Sequence, residues 1–270
     1  MTLDSIDHGV AQAAALSQTF PTFSNLTSLS DVRAATIAGR GWLMLDSTLF
    51  PDHLQAVRQL AHECGRETQL LELDLDVLGE LKSIGILDGS PTDIATTLLS
   101  LLPTSPKGCV GAEFYRQSAH HALEVLVGAM QAAGQPIHLI SLEVLLQSAS
   151  ALLVLESRVP KDSPAYARLQ GFLDTFRAGA DATLEVDKLQ GILGGMSGRI
   201  AMYAKGKFSV IFDSANPDIR LDDVVRSNAM LYVRLPAGDT LAQQVARVIS
   251  TTMDHALARG RVPSGEQAAG

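Results

Sequence analysis

The spacing of apolar positions divides the chain into three stretches. Between Ala34 and about Ser90 short apolar runs alternate with helically spaced ones. Trp42-Leu43-Met44-Leu45 is too short for a helix and is bounded by Gly41 and Asp46, which predicts a buried strand. Pro51 suits the first turn of a helix. The segment PDHLQAVRQLAHEC then places Leu54, Val57, Leu60, Ala61 and Cys64 on one face, with Gly65 where a helix stops. A second strand is predicted at Gln69–Leu73. Strand, helix and strand joined by short links form a βαβ unit, which implies a parallel sheet with a right-handed crossover.

From Thr92 to about Tyr203 the period is helical. Helices are expected over Asp93–Leu102, Glu113–Ala133, Ser141 to about Leu155, Ser163–Arg177, and Lys188–Tyr203 with Asp187 as its cap. No strand is read there. Strand character returns at Phe208–Phe212 and Met230–Leu235, with a short helix around Leu221–Val225 between them. Pro236 and Gly238 break the second run. Asp239 is then placed to cap a helix over Thr240–Ala258, with Leu241, Val245, Val248, Ile249 and Met253 as its core face. The N-terminal segment, residues 1–33, is weakly patterned, although Asp31 could cap a short helix running to Gly39. The expected organisation is an α/β core made of residues 34–90 and 206–260, an all-α region at 91–205, and a frayed tail at 261–270.

Composition narrows the function classes. Of 270 residues 46% are hydrophobic and 19% charged, which is globular and sufficient for a sizeable core. The net charge of −8 does not encode a bulk electrostatic grip on nucleic acid or an anionic membrane. Two distant cysteines, Cys64 and Cys109, cannot alone build a zinc site or a disulfide framework, so a reducing compartment is expected. The N-terminal residues carry acids where a signal peptide needs lysines. The most apolar stretch, Ile140–Leu155, is interrupted by Glu143, Gln147 and serines, so no spanning helix is expected.

A phosphate-binding loop needs Gly-x-x-x-x-Gly-Lys-Ser/Thr, because its glycines turn backbone N–H groups toward phosphate. Here Gly206-Lys207 is followed by Phe208, and Ala201 stands where the first glycine belongs. WLMLDS and SVIFDS each end in one acid, Asp46 and Asp213, where the partner motif needs two. A lone aspartate at a strand end ordinarily turns the chain or caps a helix. Gly191, Gly194, Gly195 and Gly198 do not follow a strand, which excludes a dinucleotide loop and leaves a flexible or closely packed helix. His120 and His121 point about 100° apart on a helix and cannot share one ion, so a solvated or capping role is read. Neither a nucleophile elbow nor His-Glu-x-x-His occurs.

The order of these features resembles one family. GRGWLMLDSTLFPDHLQAVRQLAHECGRETQLLELDLD is similar to the segment of conjugative coupling proteins that follows their phosphate loop. These are the TraD/TraG group of FtsK/HerA-like motor ATPases. SPTDIATTLLSLLP and GAEFYRQSAHHALEVLVGAMQAAGQPIHLISLEVLL resemble the opening helices of their inserted domain, and KFSVIFDSANPDIRLDDVVRSNAMLYVRLPAGDTLAQQVARVISTTMDHALARG resembles the return to the motor. The resemblance covers roughly Ala34 to Gly260. It implies a RecA-like parallel sheet core with an inserted all-α domain that helps select cargo, and work with a type IV secretion or conjugation machine.

Departures from the family pattern shape the functional expectation. The phosphate loop that would precede Ala34 is missing, only Asp46 of the strand-end motif carries over, and the second acid strand and membrane-spanning region are not in this sequence. A lone carboxylate without lysine or glycine nest repels Mg·ATP more than it binds it. The expected function is therefore a coupling-protein-like recognition module without ATPase activity and without a cofactor. It would be cytoplasmic, peripheral to an inner-membrane secretion complex, and would bind a protein partner or cargo, with homo-oligomers allowed and DNA engaged only indirectly. Asp46 is the residual edge of a nucleotide site. The exposed helices Glu113–Ala133 and Ser163–Arg177 are taken as the contact surface, and Arg116 and Gln117, on the first of them, are the partner-binding candidates. The alternatives are a translocation motor using ATP and Mg²⁺ at a divergent or trans-supplied site, and a truncated remnant.

Overall fold

The computed structural model describes residues 24–47, 52–75, 82–102, 110–178, 183–235 and 240–261. In chain order the first part contains β1 (Ser24–Leu26), α1 (Leu29–Ile37), β2 (Trp42–Asp46), α2 (Asp52–Glu63), β3 (Leu70–Asp74) and β4 (Ile84–Gly85). The helical stretch contains α3 (Pro91–Leu99), α4 (Val110–Ala132), α5 (Leu139–Leu145), α6 (Ala149–Arg158) and α7 (Pro164–Asp174). A short ribbon of β5 (Arg177–Ala178) and β6 (Thr183–Leu184) follows, and then α8 (Val186–Tyr203) and α9 (Lys207–Phe212). The chain closes with β7 (Ile219–Arg220), α10 (Leu221–Arg226), β8 (Met230–Arg234) and α11 (Thr240–Arg261).

The molecule is mixed α/β. Its main sheet has four parallel strands in the order β1-β2-β8-β3. The β2-α2-β3 segment is strand, helix and parallel strand as its sequence predicts, but the two strands are not neighbours. The late strand β8 inserts between them, with Met230 opposite both Trp42 and Leu70. Side chains alternate across the sheet. Trp42, Met44, Met230 and Tyr232 face α1 and α2, where Val32, Ala35, Val57, Leu60 and Ala61 close a small core. Leu43, Leu73, Leu231 and Val233 face the other way, into a larger cluster that continues without a break to Leu126, Leu142 and Leu169.

Local chemistry sets most boundaries. Ser28 caps α1 by accepting from the Asp31 amide, so the serine and not Asp31 is the cap. Ser90 and Asp93 form a capping box on α3, with Pro91 in the first turn. Ser163 caps α7 and Glu185, not Asp187, precedes α8. Gly65 adopts φ +63° just past α2, the left-handed stop expected of it. The cap expected at Asp239 lies outside the described residues.

Three sequence expectations are corrected. Phe208–Phe212 is not a strand but most of α9. Phe208, Ile211 and Phe212 are buried at helical spacing, and Tyr203 packs its ring against both phenylalanines. A short apolar run fits either period, and here the aromatic packing decides it. The helix expected from Ser141 to Leu155 is two helices, α5 and α6, bent by 111°. Ser148 caps the second by accepting from the Ala151 amide, and Gln147 ties the elbow to α8 through a 2.6 Å bond to Ser197. The helix expected to reach Arg177 stops at Asp174, and Arg177 and Ala178 instead form β5, opposite Leu184 and Thr183 of β6. There Arg177 bonds both Glu156 and Asp174.

Candidate functional site

In open parallel sheets ligands bind outside the carboxyl ends of the strands. Here three strands end in register, with Asp46, Arg234 and Asp74 side by side. Asp46 is 3% exposed. It lies on the same face as Trp42 and Met44, which directs its carboxylate toward Tyr232 and the first turn of α2. Tyr232 donates its hydroxyl to Asp46 Oδ2. His53 Nδ1 lies 3.2 Å from the same oxygen. An ionised carboxylate only accepts, so a proton on His53 Nδ1 completes that contact. The Asp46 carbonyl also accepts from the Leu235 amide at 2.7 Å. One strand over, Arg234 reaches Asp74 at 3.5 Å.

The arrangement is held by the protein's own groups. Its buried oxygen is shared by a phenol and an imidazole, and among the described residues no group of three or more His, Cys, Asp or Glu is placed to hold a metal ion. Burial pushes the Tyr232 phenol above its ordinary range, and the hydrogen bond and charge of Asp46 push it further. An unfolded tyrosine ionises near pH 10. The stability this group contributes is therefore fully present below about pH 10 and is lost as pH climbs from there toward the folded value. Urea denaturation from pH 8 to 11 is expected to show a decline above about pH 10 that is shallower in Tyr232→Phe.

The opposite, amino-terminal ends of these strands hold a second polar cluster that sequence reading missed. Arg66 is buried and donates to the carbonyls of Arg40 at 2.9 Å and Asn228 at 2.8 Å, and to Gln69 at 2.6 Å. A longer contact of 3.4 Å reaches the carbonyl of Thr36. Burial lowers its pKa. Asn228, in the left-handed region at φ 53°, accepts from the Gly41 amide at 2.5 Å and donates to the Gly39 carbonyl at 2.6 Å. A Cβ on Gly41 would stand 2.8 Å from the Ala229 carbonyl oxygen, so only glycine fits. The Arg40-Gly41 and Gly65-Arg66 pairs thus have a local physical reason: together they fasten α1, α2 and β8.

Asp213, the second single acid, ends no strand. Its carboxylate accepts from the Leu139 amide at 2.7 Å and approaches His138 at 3.2 Å, fastening the start of α5. His120 approaches Thr96 at 3.2 Å and Glu124 at 4.0 Å, whereas His121 packs edge-on against Phe172, so the neighbouring histidines have separate surroundings.

Arg116 and Gln117 belong to α4, not to the Asp46 cluster. Gln117 is exposed and donates to Glu113 at 3.0 Å. Arg116 is half-buried and makes no hydrogen bond or ion pair among the described residues. It lines a groove of about 360 Å³ between α4 and α8, together with Ala112, Tyr115, Ala119, Gly191 and Gly195. The α8 glycines are not closely packed: nothing lies within 4 Å of the Cβ position of Gly191, Gly194, Gly195 or Gly198. Each glycine costs a helix about 1 kcal/mol relative to alanine, and no contact inside the described chain explains that choice. A wider groove of about 490 Å³ lies between the end of α4 and the α5–α6 elbow, where Ile140, Val144 and Val154 are exposed. No single helix among the described residues is long and apolar enough to cross a membrane. No protein-family model matches the chain, and no curated protein matches it.

Proposed function

We propose that the chain is a recognition module of the coupling-protein kind. On this reading it has a RecA-like sheet that no longer handles nucleotide and an inserted all-α region that contacts a protein partner or cargo of a type IV secretion or conjugation system. Its place would be cytoplasmic, beside an inner-membrane complex. The observation that carries the reading is the state of Asp46. The carboxylate standing where a motor would present an acid to Mg²⁺ is buried and already engaged by Tyr232 and His53. Releasing it for a metal would leave the Tyr232 hydroxyl buried without its acceptor. On the helical side, Arg116 faces a groove with no partner of its own among the described residues, and Phe114 and Tyr115 beside it are more than half exposed. Aromatic residues and arginine are the types that dominate protein interfaces.

The test is a titration of the purified chain with a fluorescent ATP analogue, with and without Mg²⁺. No saturable binding is expected in either case. Saturable, Mg²⁺-dependent binding that disappears in Asp46→Ala would overturn the reading and establish a motor site.

A further inference from the structure

The groove between α4 and α8 has the make-up of a place for a third helix. On α4 the positions that line it are Ala112, Tyr115, Arg116 and Ala119, which recur at three- and four-residue spacing along one stripe. On α8 they include Gly191 and Gly195, one turn apart. Alanine and glycine on both sides let a third backbone come close, as small residues do wherever helices approach tightly. Other lining residues, such as Leu102 and Met196, are apolar. The groove holds one cation, Arg116, with no acid against it among the described residues. A half-buried guanidinium beside apolar walls is complementary to a carboxylate that arrives with an apolar ligand.

We infer that this groove docks an amphipathic helix of a protein partner, one that presents small apolar residues to Gly191 and Gly195 and an aspartate or glutamate to Arg116. The inference rests on the recognition reading and supplies the chemistry of the partner. The occupant is a helix rather than a strand because the groove runs between two helices and offers no sheet edge. It is acidic because Arg116 is the one charged residue that lines the groove among the described residues.

The experiment pans a displayed library of helical peptides, randomised on one face, against the full chain. Recovered peptides are then measured against three variants. Peptides carrying Glu or Asp amid small apolar residues are expected. Arg116→Glu is expected to weaken them by about tenfold or more, and replacing the peptide acid by lysine to restore binding to that variant. Gly191→Ala with Gly195→Ala is expected to weaken binding while raising the Tm by a few degrees, because alanine favours the helix and its methyl fills the groove. A gain in stability with a loss of binding separates docking from damage to the fold. Failure to recover any peptide that these substitutions weaken would overturn the inference. So would sedimentation showing a dimer that Arg116→Glu dissociates, since the occupant would then be a second copy. Nucleotide binding is read at the sheet edge, so its outcome and this one are separable.

Discussion

Replacing Arg66 by alanine is expected to lower the unfolding free energy by about 3 kcal/mol. The guanidinium bridges backbone carbonyls from the end of α1, the approach to β2 and the turn before β8. Hydrogen bonds from a charged donor contribute about 1.5–3 kcal/mol where they are buried, and removing the donor leaves carbonyls short of a partner. Arg66→Lys keeps the charge but cannot form the same fork, so it is expected to recover less than half of the loss. Arg58 provides the contrast. It forms a bidentate pair with Glu72 at 2.8 and 2.6 Å, but its side chain is 52% exposed. Arg58→Ala is expected to cost under about 1 kcal/mol, because water and salt screen an exposed pair. Urea denaturation of the two variants at equal m-value checks the ranking. Equal losses would mean that burial of the Arg66 bonds does not govern their strength.

Asp46→Ala is expected to destabilise the fold by about 2 kcal/mol. The substitution deletes the acceptor of a buried Tyr232 hydroxyl and the carboxylate beside His53, and the cost of an unpaired buried donor is about 1–3 kcal/mol. Residues kept for ligand chemistry commonly do the opposite, and their removal leaves stability unchanged or raised. The direction of the shift in denaturation midpoint therefore bears on the role of Asp46 without any ligand being known.

Much of the strand and helix content is legible in the sequence because local periodicity encodes it. Trp42–Leu45 and Met230–Leu235 read as strands, and Val57, Leu60 and Ala61 read as part of the buried face of α2. What escaped depends on contacts between distant segments. The insertion of β8 between β2 and β3 leaves no mark near either strand. The Phe208–Phe212 run becomes helical because Tyr203 waits one short turn away, and the α5–α6 elbow follows from a serine cap and a bond to Ser197. The candidate site divides in the same way. Asp46 is visible as an acid at a strand end, but nothing local announces that Tyr232 and His53 occupy it. Arg116 is visible as a cation on a helix expected to be exposed. The groove beside it needs Gly191 and Gly195 brought across from another helix, and the glycine set gives a signal only once its empty surroundings are known.

The claim that Asp46 is part of the fold's framework is tested most directly by a double-mutant cycle. Unfolding free energies are measured for the native chain, Asp46→Ala, Tyr232→Phe and the double variant. A shared buried bond predicts that the double variant loses less than the two single losses added together, with a coupling of about 1–2 kcal/mol. Losses that simply add would show that the carboxylate and the phenol act independently. That result would contradict the claim that their shared bond holds Asp46 in the framework.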